Sequence, residues 1–436
     1  MIRLEDNTPK SFSLSPEREG IRLIANQSVE SLIGKHPELL VFPQCLNDCK
    51  DDLKRQFILS LSEDVDTDEN RVMHVTPTNL VGYIGVKGTN ISITSRFSSG
   101  EGVDKDYFLH YLLQKTLSVN LFDLEHGFSK DDQVFDFLLL LFPGMLKQAL
   151  AQGLYKEYRT CDRNDANVKG RIDAARHLQR NMPFNGRVAY QSREISYDNS
   201  VTQLIRHTIE HIRISPFGQT LLSNDSEISE CVDQIIAATP SYTKGERGIV
   251  MRKNNKPVSH PYFTKYKPLQ LLCLRILHHE KIRYSDTQNK VYGILFDMSW
   301  LWEEYLATLL PDYDHPKNRE GIGAIYLGRS GAMERYPDFY KGESGGIVLD
   351  AKYKNEIDRN DQHQVISYMY RLQSRHGGFL LPSRESKTKR YTDLLGYGFR
   401  LGRHYLTIPN KVASYAVFCE QIVPKQDAFI SEIEKL

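Results

Sequence analysis

The spacing of apolar and polar positions changes character along the chain, and each change predicts a different kind of structure. Over roughly the first 125 residues the pattern has the period of two that marks strands. In NLVGYIGVKGTNISITSRF, Val81, Tyr83 and Ile84 precede a turn at Gly88, and Ile91 and Ile93 then alternate with Ser92 and Thr94. That arrangement predicts a β-hairpin. ESLIGKHPELLVFPQ predicts a short helix followed by an exposed strand, and SSGEGVDKD a polar link. From Asp131 the period lengthens to that of a helix. DDQVFDFLLLLFPGMLKQALAQGLYKEY opens on acids, which suit a helix N-terminus, and predicts a buried helix interrupted near Pro143. DNSVTQLIRHTIEHIRI predicts a helix capped by Asp198 or Asn199, with Val201, Leu204, Ile205, Thr208, Ile209 and Ile212 on one face. NDSEISECVDQIIAAT and YKPLQLLCLRILHHE predict two more.

The last third alternates. FDMSWLWEEYLATLLP is an amphipathic helix ended by Pro311. Two strand-forming stretches around a glycine-rich turn follow, then the helix NDQHQVISYMYRLQ starting at Asn360 or Asp361, then the strands GGFLLPS and HYLTIPN. The expected fold class is α+β and multidomain: a β-rich domain at 1–125, a mostly helical middle at 126–290, and an α/β domain with a mixed sheet at 291–436.

Composition narrows the function. A chain of 436 residues can build two or three cores. Its net charge of +1 supplies no global field, so any contact with nucleic acid must come from local basic patches. Of the six cysteines only Cys45 and Cys49 are close, and no second pair at zinc-site spacing accompanies them. Scattered thiols suit a reducing cytoplasm. MIRLEDNTPK lacks the apolar core of a signal peptide, and the run near FLLLLFPGML is too short to span a bilayer, so a cytoplasmic protein without a membrane partner is expected. Gly34-Lys35 is followed by histidine rather than serine or threonine, and GIGAIYLG follows no strand-to-helix transition. The chain itself is therefore expected to bind no nucleotide.

The candidate chemistry lies in YPDFYKGESGGIVLDAKYK, Tyr336 to Lys354. Asp338 and Asp350 are equidistant from Ser344 in the turn, so a symmetric hairpin sets them opposite each other on one face. Asp350 and Lys352 share that face, because side chains alternate along a strand. Opposed like charges destabilise a sheet unless something positive lies between them. A divalent cation fits that need, since hard cations prefer carboxylate oxygens. Lys352 beside it could assist an attacking water or neutralise developing charge. Ile347, Val348 and Leu349 make the second strand too apolar for a solvated edge. Downstream, Arg384, Lys387, Lys389 and Arg390 cluster in RESKTKR, a candidate contact for DNA phosphates without sequence information.

Pro337-Asp338 followed by Asp350-Ala351-Lys352 resembles the PD-(D/E)xK nuclease signature. Gln364 and Tyr368 resemble the QxxxY element of RecB-like branches of that superfamily, and Leu301-Trp302-Glu303 resembles its L-[FW]-E pattern. The resemblance implies Glu303, rather than the adjacent Glu304, as a third metal-site carboxylate, and places Gln364 and Tyr368 at the metal or the DNA backbone. VGYIGVKGTNISITSRF, VKGRIDAARHLQRN, REISYDNSVTQLIRHTI and FDMSWLWEEYLATLL together resemble the McrC family, the nuclease subunits of McrBC-type and LlaJI-like restriction systems. The similarity runs in order from about Val81 to Tyr368. Where the family has Pro-Lys after the second N-terminal strand, this chain has Ser95-Arg96.

That resemblance implies a Mg²⁺-dependent (or Mn²⁺-dependent) endonuclease acting on double-stranded DNA. It also implies a hexameric McrB-like AAA+ partner that binds GTP in place of this chain and is stimulated by the chain's N-terminal part. Lys87 and Arg96 are candidate residues for contacting the ring. Two competing readings are a nuclease of the same superfamily that acts alone in repair or defence, and a non-catalytic adaptor that only activates an NTPase.

Overall fold

The computed structural model describes residues 2–13, 19–36, 39–43, 53–65, 71–86, 89–100, 105–117, 133–215, 218–223, 225–282, 291–316, 323–342, 346–388, 390–395 and 398–436. Lys87, Lys389, the Cys45–Cys49 pair and the centre of the acidic hairpin's turn lie outside them. The chain forms two compact units, one of Met1–Val134 with Ser285–Leu436, the other of Phe135–Tyr284.

In the first unit a five-stranded sheet has the order Ile2–Glu5, Thr89–Thr94, Leu80–Val86, Val291–Asp297, Leu39–Phe42. The predicted hairpin is present: Leu80–Val86 and Thr89–Thr94 pair antiparallel, with Ile84 opposite Ile91. Its inner neighbour comes from far downstream. Val291–Asp297, expected to open the C-terminal domain, runs antiparallel to Leu80–Val86 and parallel to Leu39–Phe42. Glycines make this pairing possible. A Cβ on Gly82 would sit 2.1 Å from the Ile294 carbonyl oxygen, and one on Gly293 2.2 Å from that of Tyr83. Leu39–Phe42, expected to be exposed, is buried along its length. The helix Val29–Lys35 packs against this strand, and Phe42 stacks on Phe296 with ring centroids 5.0 Å apart. Lys10–Ser13, Arg71–Pro77 and Leu59–Val65 form a smaller antiparallel sheet.

The same unit holds a second five-stranded sheet, in the order Phe339–Lys341, Ile347–Ala351, His376–Ser383, Phe399–Thr407, Arg390–Leu394. The three central strands are parallel and the outer two antiparallel to their neighbours, which is the mixed sheet expected. The helix Arg359–Leu372 connects two of the parallel strands. Its Val365, Tyr368 and Met369 pack on Val348, Phe379 and Leu381. Each such large side chain, fully buried, stabilises the fold by about 1.5–3 kcal/mol. Gly377 lets the helix approach: a Cβ there would lie 2.3 Å from the Met369 sulfur. The helix starts one residue before the sequence suggests, capped by Asp358 in a reciprocal capping box with Asp361. Met298–Leu309 is the expected amphipathic helix, capped by Asp297. Tyr107–Leu117 packs against it, and the closing helix Tyr415–Ile433 covers Phe399–Thr407.

The second unit contains the expected helices Gln133–Leu150, Ser200–Ile214, Ser226–Ala238 and Tyr266–Ile282. The first runs unbroken through Pro143. Asn199 caps the second in a box with Thr202. The middle region is less helical than its periodicity suggested, because Glu157–Asp165, Val188–Ser196 and Arg171–Ile172 form an antiparallel sheet. Glu157–Asp165 is exposed or half-buried throughout, so it lacks the buried face that writes alternation into a sequence. Among the described residues no helix is long and apolar enough to cross a membrane.

Candidate active site

Phe339 pairs with Leu349, Tyr340 with Val348 and Lys341 with Ile347. Continued by one step, this register sets Asp338 opposite Asp350, as the symmetry about Ser344 requires. The Ala351 N–H donates to Asp338 Oδ2 at 2.7 Å, which fixes the first carboxylate beside the peptide that follows Asp350. Both aspartates are buried, at 3% and 1% exposure. Burying two acids side by side is unfavourable unless positive charge is close. Lys352 supplies some: its Nζ lies 2.9 Å from Asp350 Oδ2.

Lys352 is held from several directions. Its backbone N–H extends the parallel ladder by donating to the Leu380 carbonyl at 3.0 Å. Its ammonium donates to Gln364 Oε1 at 3.1 Å and lies 3.7 Å from Asp361 Oδ1. Gln364 and Tyr368, one turn apart, act together. The Gln364 amide donates to the Tyr368 hydroxyl, which in turn donates to the Tyr336 carbonyl at 2.9 Å. Burial pushes the Tyr368 phenol up, and the Asp350 charge adds to it, so its hydroxyl is a fixed donor. Val365, Tyr368 and Met369 pack this helix onto the sheet, and Ile366 is exposed.

Asp361 was legible in the sequence only as a helix start. The fold buries it and turns its carboxylate toward Lys354, with both oxygens at 3.0 Å from Nζ. Burial alone would lower the Lys354 pKa, but the hydrogen bonds it donates to Asp361 and Asp358 outweigh it and raise the pKa.

Glu303 reaches the site from another element. The Trp302 indole donates to the Leu380 carbonyl at 3.0 Å, the same oxygen that receives the Lys352 N–H. This shared acceptor seats the helix Met298–Leu309 against the strand ends. Glu303 Oε1 lies 3.9 Å from His315 Nδ1. His315 Nδ1 is 2.9 Å from the Asp338 carbonyl, and its ring stacks on Phe339 at 4.8 Å. A carbonyl only accepts, so Nδ1 carries the proton. His315 therefore stands between Glu303 and the Asp338 backbone, and no motif spacing in the sequence pointed to it.

The donor chemistry suits a hard divalent cation: two buried carboxylates from paired strands. Mg²⁺ asks for little more from a protein, since it commonly keeps waters and binds one or two carboxylates plus substrate phosphate. Among the described residues no group of three or more histidine, cysteine, aspartate or glutamate side chains is arranged to hold a metal.

The basic segment is exposed at Arg384, Lys387 and Arg390. Arg384 Nη2 lies 3.3 Å from Glu5 Oε1, and the Lys387 ammonium is 5.4 Å from the Tyr405 ring centroid. Arg96, expected at a hairpin tip, is elsewhere. It follows the end of Thr89–Thr94, and its guanidinium pairs with buried Asp6 at 3.2 Å. Its side chain is 12% exposed, so it is not a finger offered to a partner. The Ser95 substitution in this turn also has a physical reading. The Ser95 N–H and hydroxyl both donate to Asp106, and a proline there would have neither.

The chain matches the family model described as McrBC 5-methylcytosine restriction system component over residues 75–382. No curated protein matches it. Among solved structures, it resembles a chain from the half-complex of the tetradecameric assembly of Thermococcus gammatolerans McrB AAA+ hexamers with bound McrC. The likeness covers 100% of this chain and 99% of that one, at 15% identity and a TM-score of 0.51. A chain of the Thermococcus gammatolerans McrBC complex aligns with 72% of this chain and 89% of its own length, at 13% identity and a TM-score of 0.34.

Proposed function

The chain belongs to the family of McrBC 5-methylcytosine restriction system components, and from that premise we propose that it is the DNA-cutting subunit of such a system, a Mg²⁺-dependent endonuclease of the PD-(D/E)xK type that works with a McrB-like AAA+ GTPase. The observation that carries this reading is the buried pair Asp338 and Asp350 with the Lys352 ammonium 2.9 Å from Asp350. Asp338 and Asp350 would hold the cation, with Mn²⁺ as a substitute. When bound, the ion neutralises phosphate charge and lowers the pKa of a coordinated water.

The chain's own groups do the rest. Asp350 and Gln364 hold the Lys352 ammonium at the carboxylate pair, where it can orient the attacking water and stabilise charge on the pentacovalent phosphate. Gln364 and Tyr368 fix each other and so limit the positions Lys352 can take. Glu303, beside His315, borders the pair and is suited to hold a water rather than to ligate directly. Arg384, Lys387, Lys389 and Arg390 would contact the DNA backbone, giving affinity without sequence choice.

The test is cleavage of plasmid DNA carrying 5-methylcytosine, with an unmethylated control, by the chain assembled with its AAA+ partner and GTP. Cleavage should require Mg²⁺ or Mn²⁺. Asp350→Asn, which keeps the side chain's shape, should abolish it while leaving assembly and partner GTP turnover unchanged. Normal cutting by a folded Asp350→Asn protein would sink the assignment. Cleavage without partner or nucleotide would move the chain to the class of nucleases that act alone.

A further inference from the structure

Two elements of the proposed nuclease site lead back to one buried ion pair in the N-terminal sheet. Arg96 follows the strand Thr89–Thr94, and Asp6 follows the strand Ile2–Glu5 beside it. Asp6 is fully buried. Its Oδ1 accepts from the Arg96 backbone N–H at 2.6 Å and from Arg96 Nε at 3.2 Å.

From this pair two paths run outward. The first is short. The Arg96 guanidinium lies over the ring of Tyr353, 4.7 Å from its centroid. Tyr353 is buried and immediately follows Lys352. Phe97 meets the same ring edge-on at 5.8 Å. The second path goes through Asn79. Arg96 Nη2 donates to Asn79 Oδ1 at 3.4 Å, and Asn79 Nδ2 donates to Ser299 Oγ at 2.9 Å. The Asn79 carbonyl also accepts from the Met298 N–H at 3.0 Å. Asn79 therefore holds the first turn of the helix that carries Trp302 and Glu303. The paths meet again at the Leu380 carbonyl, which receives both the Trp302 indole and the Lys352 N–H.

We propose that Arg96 is a positioning residue for DNA cleavage: through Tyr353 and Asn79 it sets the strand end bearing Lys352 and the helix bearing Glu303 in mutual register. The proposal rests on the nuclease reading above. Arginine suits the task because its flat guanidinium stacks on an aromatic face while its edges pair with a carboxylate and an amide. A lysine in its place could satisfy Asp6 but could not do both. The N-terminal sheet is on this view part of the catalytic scaffold, and a load applied to it by a motor would be felt at Lys352.

The experiment measures cleavage of methylated plasmid by the full chain in complex with its AAA+ partner, separating kcat from KM and recording partner GTP turnover in parallel. Displacement of a catalytic group by about one ångström costs on the order of 100-fold in rate. Arg96→Met is expected to lose kcat on that scale with KM for DNA and partner stimulation unchanged. Arg96→Lys, which keeps a cation for Asp6, should fold and fall between Arg96→Met and wild type. The double variant Asp6→Asn/Arg96→Met removes the uncompensated buried charge, so it should regain thermal stability without regaining kcat.

Wild-type kcat in Arg96→Met would overturn the proposal. So would recovery of kcat in step with stability in the double variant, which would make Arg96 merely structural. Loss of partner stimulation together with cleavage would assign Arg96 to the partner surface instead. A wild-type complex that leaves DNA intact overturns the nuclease reading itself, and this proposal with it.

Discussion

Removing the Gln364 amide tests how Lys352 is held. In Gln364→Ala the ammonium loses an acceptor at 3.1 Å and keeps Asp350 at 2.9 Å. A hydrogen bond to a charged group contributes about 1.5–3 kcal/mol. If that contribution is felt fully in the transition state, the rate falls by about 10- to 160-fold, since each 1.36 kcal/mol is a factor of ten. Abolition is not expected, because the Asp350 contact survives. The amide accepts from Lys352 and donates to Tyr368. The concentration of Mg²⁺ giving half-maximal rate should therefore stay where it is in wild type. Asp338→Ala, by contrast, removes a proposed ligand and should not be rescued by any metal concentration. Tyr368 keeps its bond to the Tyr336 carbonyl, so thermal stability should fall by only about 1 kcal/mol. The assay is single-turnover cleavage as a function of Mg²⁺ for the two variants. An unchanged rate in Gln364→Ala would remove the residue from the site. A loss erased by extra Mg²⁺ would mean that the amide supports the metal rather than Lys352.

Three further outcomes probe the scaffold. Gly82→Ala should destabilise the first unit by about 3 kcal/mol, measured by denaturant unfolding, because its Cβ would lie 2.1 Å from the Ile294 oxygen at a φ of +138°; a silent substitution would refute the close pairing. A fragment ending near Glu125 should fail to fold cooperatively, since Val291–Asp297 is missing from inside its sheet, whereas Phe135–Tyr284 should fold alone; circular dichroism during thermal melts distinguishes them. Burial pushes the Asp106 carboxyl up from 3.8 to about 7 despite hydrogen bonds from Ser95 and Leu109. Its ionisation favours the unfolded chain, so its contribution is complete below about pH 3.8 and is lost as pH rises through about 7, on the order of 4 kcal/mol in all. Asp106→Asn should flatten that part of the stability–pH curve, and an unaltered curve would show that Asp106 is ionised in the fold.

Local chemistry was legible in the sequence. The equal spacing of Asp338 and Asp350 about Ser344 foretold the register, because a two-stranded antiparallel pair is fixed by its own turn and by the period of two. The helical face of Ser200–Ile214 followed from its apolar periodicity. Gln364 and Tyr368 are one turn apart in any helix, so their mutual contact needed only that the helix form.

What the tertiary structure alone decided is everything that joins distant segments. Nothing in VYGILFD says that it enters the sheet of NLVGYIGV; the glycines that allow it read locally only as weak points in two strands. Asp361 looks like a capping residue until the sheet brings Lys352 within 3.7 Å, and Arg96 looks like a surface charge until Asp6 and Tyr353 close around it. The physical reason is the range of the forces that write patterns into a chain. Burial of one face imposes a period within a single element, whereas an ion pair or a strand pairing between remote elements depends on how those elements pack, and leaves no period behind.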